Sequence, residues 1–216
     1  MKTTQVRRPR ITRRPRLLAG EELPQAPAQQ RSRMRRQALM RAALELFARA
    51  GFNAVAIDMI AERAGVPIGS FYQHFRSKRQ LLLVLMNEFL QKLEAIAMQP
   101  QGETLRSAIE SVLRAGLATD LAYAGAYRAW REAMLSDREL AALDAKIRAW
   151  TTARLASVFA QIHALPHARR DLDVALFAAL MDRLFWDLLG STLVARAERI
   201  ATLAHIIEHS ILRDAR

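Results

Sequence analysis

Three hydrogen-bonding side chains fall within one short stretch, at a spacing that places them on one side of a helix. Ser70, Gln73 and His74 stand at positions i, i+3 and i+4, which share a helix face. A hydroxyl, an amide and an imidazole can each exchange hydrogen bonds with bases or phosphates. The major groove of B-DNA accepts an α-helix. We therefore expect these side chains to point outward and contact DNA, with Gln73 pairing with adenine.

The other side of this stretch is apolar and is predicted to pack on the preceding helices: Ile68, Phe71, Tyr72 and Phe75. Ile68 could instead contact a thymine methyl group. Gly69 allows close approach of the backbone, and the Tyr72 hydroxyl and the Lys78 ammonium are predicted phosphate contacts. A core role for Tyr72 and a solvated position for His74 remain the alternatives.

Short helices separated by glycines are predicted to position these residues. Apolar residues at helical spacing predict helices at about 33–50, 57–64 and 67–75, and Gly51 and Gly65 end the first two. Ser77–Lys78–Arg79–Gln80 has the form of a capping box and opens a longer helix.

The remainder of the chain also has helical periodicity and no alternating strand pattern. Helices are predicted at about 103–118, 120–135, 171–190 and 195–213, with a long one opened by a second capping box, Ser136–Asp137–Arg138–Glu139. The predicted fold class is all-α: an N-terminal three-helix helix-turn-helix head and a C-terminal helical ligand-binding and dimerisation body. The predicted boundaries are 1–31 for a disordered basic arm, 32–80 for the head and 81–216 for the body.

Positive charge is concentrated at the N-terminus. The chain carries a net charge of +12. Residues 1–36 contain eleven Lys and Arg against Glu21 and Glu22, which leaves +9 there and +3 elsewhere. Such an arm predicts a polyanionic partner, with Arg33 and Arg35 among the expected DNA contacts. An anionic membrane surface and a solvated tail without a partner are the alternatives.

The stretch from Gly51 to Leu81 resembles the TetR family of one-component bacterial regulators. The segments that carry the resemblance are Ile60–Val66, Gly69–Phe75 and Ser77–Lys78. It implies a dimer that pairs through the helices at about 171–190 and 195–213, binds a palindromic operator on double-stranded DNA and responds to a small-molecule effector. Repression, with release by the effector, is also implied.

Three positions depart from the family pattern, and one of them is Ile68, which stands where a polar residue that reads bases often stands. Ala56 stands where a serine or threonine usually caps the second helix and contacts phosphate, and Asp58 would repel phosphate. We hypothesise that the arginine arm offsets these departures, so that deletion of residues 1–30 weakens DNA binding and its salt dependence.

Aromatic and methionine side chains in the body are the predicted effector pocket, with ordinary core packing as the alternative: Tyr123, Tyr127, Trp130, Met134, Trp150, Phe159, Phe177, Met181 and Trp186. His205 and His209 have the spacing of a metal pair but lack a third ligand, so no metal site is predicted.

No nucleophile–base pair or phosphate-binding loop is visible, and the chain has no cysteine. We therefore expect neither an enzyme nor a cofactor. The lack of a signal peptide or long apolar run predicts no membrane partner and a cytoplasmic bacterial protein, associated with the nucleoid when it is bound to DNA. An effector-independent or activating DNA binder and a basic membrane-associated or scaffolding protein remain alternatives.

Overall fold

A computed structural model describes residues 13–18, 29–96, 105–163, 169, 171–189 and 193–211. Within these ranges the chain is helical and contains no strand, which confirms the predicted all-α class. The helices are α1 (Gln30–Ala50), α2 (Ile57–Arg63), α3 (Ile68–His74), α4 (Lys78–Ala95), α5 (Leu105–Ala122), α6 (Ala124–Ala133), α7 (Arg138–His163), α8 (Val174–Leu189) and α9 (Leu193–Ile211).

Side-chain caps fix where α4 and α7 begin. At α4 the Ser77 hydroxyl accepts the Gln80 backbone N–H at 3.0 Å, as in a capping box. The Gln80 side-chain oxygen accepts the N–H of Arg76, the residue before the cap, at 2.7 Å. At α7 the predicted cap, Ser136, is wrong. Asp137 caps this helix because its Oδ1 accepts the backbone N–H groups two and three residues ahead, at 2.9 and 3.1 Å.

The described residues fall into two compact units. The N-terminal unit lies within Pro15–Ala95 and Ala118–Ala145, and the C-terminal unit lies within Ile96–Leu117 and Lys146–Arg216. The N-terminal unit therefore holds α1 to α4 together with α6. The boundary predicted at residues 80 and 81 falls inside α4.

Helix α6 packs closely on α1 within the N-terminal unit. A Cβ built on Gly125 would overlap the backbone carbonyl oxygen of Leu44, so only glycine allows this approach. Trp130 is fully buried, and its indole N–H donates to Asp144 at 3.0 Å. These contacts make α6 part of the same core as the helix-turn-helix.

The C-terminal unit has an apolar core of its own. The rings of Phe159 and Phe177 meet edge to face, with centroids 5.1 Å apart, in a cluster that also contains Met181. Leu176 and Leu180, one turn apart on α8, are exposed instead. Among the α8 side chains that the structure describes, residues 174–181, this unit therefore buries Phe177, Ala178 and Met181 and leaves Leu176 and Leu180 uncovered.

The predicted basic arm is described only in part. Residues 1–12 and 19–28 lie outside the described residues, whereas Arg13–Leu18 are described and Leu17 is buried. Helix α1 also begins at Gln30, three residues before the predicted start. Of the helices that the structure describes, none is long and apolar enough to cross a membrane.

Candidate nucleic-acid interface

One side of α3 faces solvent and forms the candidate interface. Its members are the four residues that we call the α3 outer face: Ile68, Gly69, Tyr72 and Gln73. Ile68 is 50% exposed and Tyr72 57% exposed. A Cβ built on Gly69 would meet nothing within 4 Å. The surface thus offers an apolar side chain, open backbone, a phenol and an amide.

The predicted orientation of α3 was wrong by about 100°, the turn of one residue. Ser70 and His74 were expected to point outward but are buried, at 6% and 3% exposure, whereas Ile68 and Tyr72 were expected inside and are exposed. The cause is that residue polarity was the only guide to the inner side, whereas the observed direction follows from packing of α3 on α1 and α2. Phe75 is fully buried as predicted, but it has extended backbone angles (φ −143°, ψ 133°) and lies outside the helix. Of the three predicted outward side chains, only Gln73 is exposed.

His74 occupies a buried site beside two arginines. Burial, reinforced by the positive charges of Arg36 and Arg35, lowers the pKa of its imidazole. The Nε2 atom has no hydrogen-bond partner. Its backbone carbonyl accepts a long, 3.5 Å hydrogen bond from Arg36, whose guanidinium lies 4.8 Å from the centre of the Phe75 ring. His74 is therefore a buried residue beside α1, and its side chain does not point outward as predicted.

Lys78 was predicted to contact phosphate, but its ammonium group has partners within the protein. Nζ donates to the carbonyl oxygens of Phe52 and Val55, both at 2.6 Å, and lies 4.4 Å from the centre of the Phe52 ring. Burial lowers the pKa of this ammonium group, and the charge of Glu132 opposes that effect. Lys78 thus holds the α1–α2 turn, residues 51–56, in place.

Glu132 on α6 binds backbone N–H groups of the same turn. Its carboxylate accepts the backbone N–H of Phe52 at 2.6 Å and that of Asn53 at 3.2 Å. Gly51 has a positive φ of 82°, and a Cβ there would overlap this carboxylate. No local sequence pattern signals the role of Glu132, because this residue lies 80 residues from Phe52.

The basic residues predicted on α1 are placed to contribute charge, since Arg33 and Arg35 are both exposed near its N-terminal end. The predicted absence of a cap at α2 is confirmed, because Ala56 is the N-cap residue and no side chain caps that position. Asp58 is exposed and accepts the N–H of Met59 at 2.8 Å. Negative charge therefore lies in the first turn of α2.

The predicted effector residues fall into both units. Four belong to the N-terminal unit, where Trp130 and Tyr123 are buried and Tyr127 and Met134 half-buried. The Tyr123 hydroxyl donates to Glu88 at 3.3 Å. Burial and this carboxylate raise the pKa of Tyr123 to about 12. In this unit two of the four predicted residues, Tyr123 and Trp130, are thus buried in the core.

The other predicted effector residues belong to the C-terminal unit. Trp150 is buried there, beside the guanidinium of Arg154 at 5.8 Å from the ring centre. Phe159, Phe177 and Met181 lie in the core cluster. Trp186 falls in a part of α8 whose side chains lie outside the described residues.

The rings of His205 and His209 lie with their centres 3.8 Å apart and their planes tilted by 41°, and Nδ1 of His209 contacts the backbone oxygen of His205 at 2.9 Å. Over the described ranges, no three His, Asp or Glu side chains cluster in a way that could hold a metal ion.

Comparison with known proteins shows which family the N-terminal helices resemble. A sequence profile of bacterial regulatory proteins of the tetR family matches residues 39–85. The repressor KstR2 of Mycolicibacterium smegmatis is 39% identical over 67 residues, which cover 31% of this chain and 32% of KstR2. By the profile match, residues 39–85 are a TetR-like segment. The matched segment includes the whole α3 outer face, so the TetR helix-turn-helix carries the candidate interface.

Other TetR relatives show how far the likeness extends. The activator FasR of the same organism is 37% identical over 83 residues, which cover 36% of this chain and 38% of FasR. The chain spans about a third of the length of the curated relatives that it matches. A solved SmeT–triclosan complex shares the fold over 84% of this chain and 93% of that one, with a TM-score of 0.62 and 20% identity.

Proposed function

We propose that this chain is a TetR-family, sequence-specific regulator of transcription that binds double-stranded DNA as a homodimer. The observation that carries the proposal is the α3 outer face, four exposed residues on a helix that belongs to the matched TetR segment. A recognition helix enters the major groove with one side and packs on its own domain with the other. The buried pair Phe71 and His74 supplies that packing side.

Dimerisation is proposed through α8 and α9. Leu176, Leu180 and Ile206 are large apolar side chains that a single chain leaves exposed on these helices. Such residues are commonly covered by a second subunit. A two-fold dimer carries two α3 helices, and successive major grooves on one side of a duplex are about 34–36 Å apart. A palindromic operator follows from this symmetry.

Repression relieved by a small-molecule effector is the proposed mode of action. KstR2 is a repressor, whereas FasR is an activator, so relatives of both kinds match the head. The SmeT structure, which shares the fold, is a complex with triclosan. An effector that binds the non-DNA-binding conformation more tightly would shift the population away from the operator. We place this action in the bacterial cytoplasm, on the nucleoid.

The test begins with selection of bound duplexes from a random-sequence library by the full-length chain, followed by fluorescence anisotropy. Gln73→Ala should weaken binding to the selected duplex by about 1–3 kcal/mol, the value of one bidentate base contact. Gln91→Ala, which removes an exposed glutamine at the far end of α4, is the matched control and should bind like the unaltered chain. Equally weakened binding in both variants, or no enriched sequence, would overturn the proposal.

The arm is proposed to supply sequence-independent affinity. Replacing Arg7, Arg8 and Arg10 with glutamine leaves Leu17 in place and should flatten the dependence of log K on log salt by about 0.9 for each phosphate that the arm no longer neutralises. An unchanged slope would refute a role for these arginines. Binding that depends on the arm and is indifferent to sequence would favour the scaffolding alternative. Binding to anionic vesicles alone would favour the membrane alternative.

A further inference from the structure

Ile68 is an exposed apolar residue at the start of α3. Half of its surface is open, whereas Ile60 on α2 and Phe71 on α3 are fully buried. It shares a face of α3 with Tyr72, four residues ahead, and Gln73 lies at the other edge of the exposed side. Ile68 therefore contributes to the outer surface of α3 more than to the core.

We propose that Ile68 recognises thymine by contact of its side chain with the 5-methyl group in the major groove. This inference rests on the proposed function, because α3 must enter the groove for the contact to form. The thymine methyl is the apolar feature that distinguishes an A·T pair in that groove. A branched aliphatic side chain gains free energy when it buries a methyl group.

Gln73 adds a second base contact to the expected half-site. The five residue steps from Ile68 to Gln73 advance about 7.5 Å along the helix axis and turn about 140° around it. That distance corresponds to about two base-pair steps of 3.4 Å. The Gln73 amide matches the N6 and N7 edge of adenine. Each half-site should thus contain both a thymine and an adenine.

The neighbouring outer-face positions leave room for this contact. Gly69 adds no side chain beside Ile68, and the space around its Cβ position is open. Exposed Arg33 and Arg35 supply positive charge for the phosphates. Ile68 is thus complementary to an apolar methyl group, and the nearby arginines are complementary to the negative charge of the DNA.

The experiment replaces thymine by deoxyuridine, one position at a time, in the duplex selected from the random-sequence library. This change removes only the 5-methyl group. The full-length chain should bind about fourfold more weakly when the contacted thymine of one half-site is replaced, from ~0.8 kcal/mol for one buried methyl group. Other thymines should show no effect.

Ile68→Ala then assigns the effect to its residue. This variant should bind the thymine and deoxyuridine duplexes equally, whereas the control Leu135→Ala, at an exposed position after α6, should keep the fourfold difference. The urea midpoint of Ile68→Ala should match that of the unaltered chain, because Ile68 is half exposed. Tight binding without deoxyuridine sensitivity at any position would overturn the inference and leave the proposed function standing. If Ile68→Ala kept the fourfold discrimination, the inference would likewise be overturned and the proposed function would stand. Failure to enrich any sequence would overturn both.

Discussion

Gly69→Ala separates the stability of the fold from its fit to DNA. The added Cβ meets no atom of the protein within 4 Å, and Gly69 lies inside α3 without a positive φ. Replacing glycine by alanine in a helix stabilises it by roughly 0.5–1 kcal/mol. The variant should therefore unfold at an equal or higher urea concentration than the unaltered chain.

DNA binding by this variant should move in the opposite direction. The new methyl group lies between Ile68 and Gln73 on the α3 outer face, where the groove must approach the backbone. Overpacking of a close interface costs about 1–3 kcal/mol, which corresponds to roughly 5- to 150-fold weaker binding. Fluorescence anisotropy with the selected duplex measures this change at a fixed salt concentration.

Gly65→Ala is the contrasting control. This position also has open space around the Cβ, but its φ is +67°, so alanine is strained there by about 1–2 kcal/mol. Gly65→Ala should therefore lower the urea midpoint, whereas Gly69→Ala should leave it equal or raise it. If Gly69→Ala bound DNA as tightly as the unaltered chain, the close approach of DNA to this side of α3 would be refuted.

Three further substitutions test the contacts that support the interface. Gly125→Ala should destabilise the fold by about 1–3 kcal/mol, because its methyl group forces α6 away from α1; urea unfolding measures this, and a midpoint equal to that of Gly69→Ala would contradict it. Glu132→Ala leaves the Phe52 N–H without its acceptor and should cost about 1–3 kcal/mol, whereas equal stability would mean that water replaces the carboxylate. Because folding lowers the pKa of His74, the unfolded chain binds a proton at this imidazole more readily than the folded chain does. The free energy of unfolding is therefore highest, as far as His74 is concerned, above about pH 6.5 and falls as the pH drops below that value. His74→Gln should flatten this decline in unfolding experiments between pH 7 and 5, and an unchanged profile would exclude His74 as its source.

Local signals in the sequence were sufficient to predict the helices. Gly51 and Gly65, which do have positive φ, mark the ends of α1 and α2, and the box from Ser77 to Gln80 caps α4 as predicted. These features depend on residues at most four positions apart. Their structural consequences can therefore be deduced from the printed sequence.

The side chains that finally form or support the site depend on distant contacts. Ser70 and His74 are polar yet buried, and Ile68 is apolar yet exposed, so polarity alone indicated the wrong side of α3. The inward direction is set by packing on α1, through partners such as Arg36, 38 residues away. Glu132 acts over 80 residues. Neither contact leaves a periodic trace in the sequence.

The packing of α6 on α1 has a consequence for exchanging heads between related regulators. A chimaera cut after residue 85, where the tetR profile ends, would leave behind the carboxylate that holds the α1–α2 turn and the buried ring of Trp130. The smallest transplantable piece is therefore discontinuous in sequence. A working graft should carry residues 118–145 along with α1 to α4, or else redesign the α1 surface that Gly125 touches.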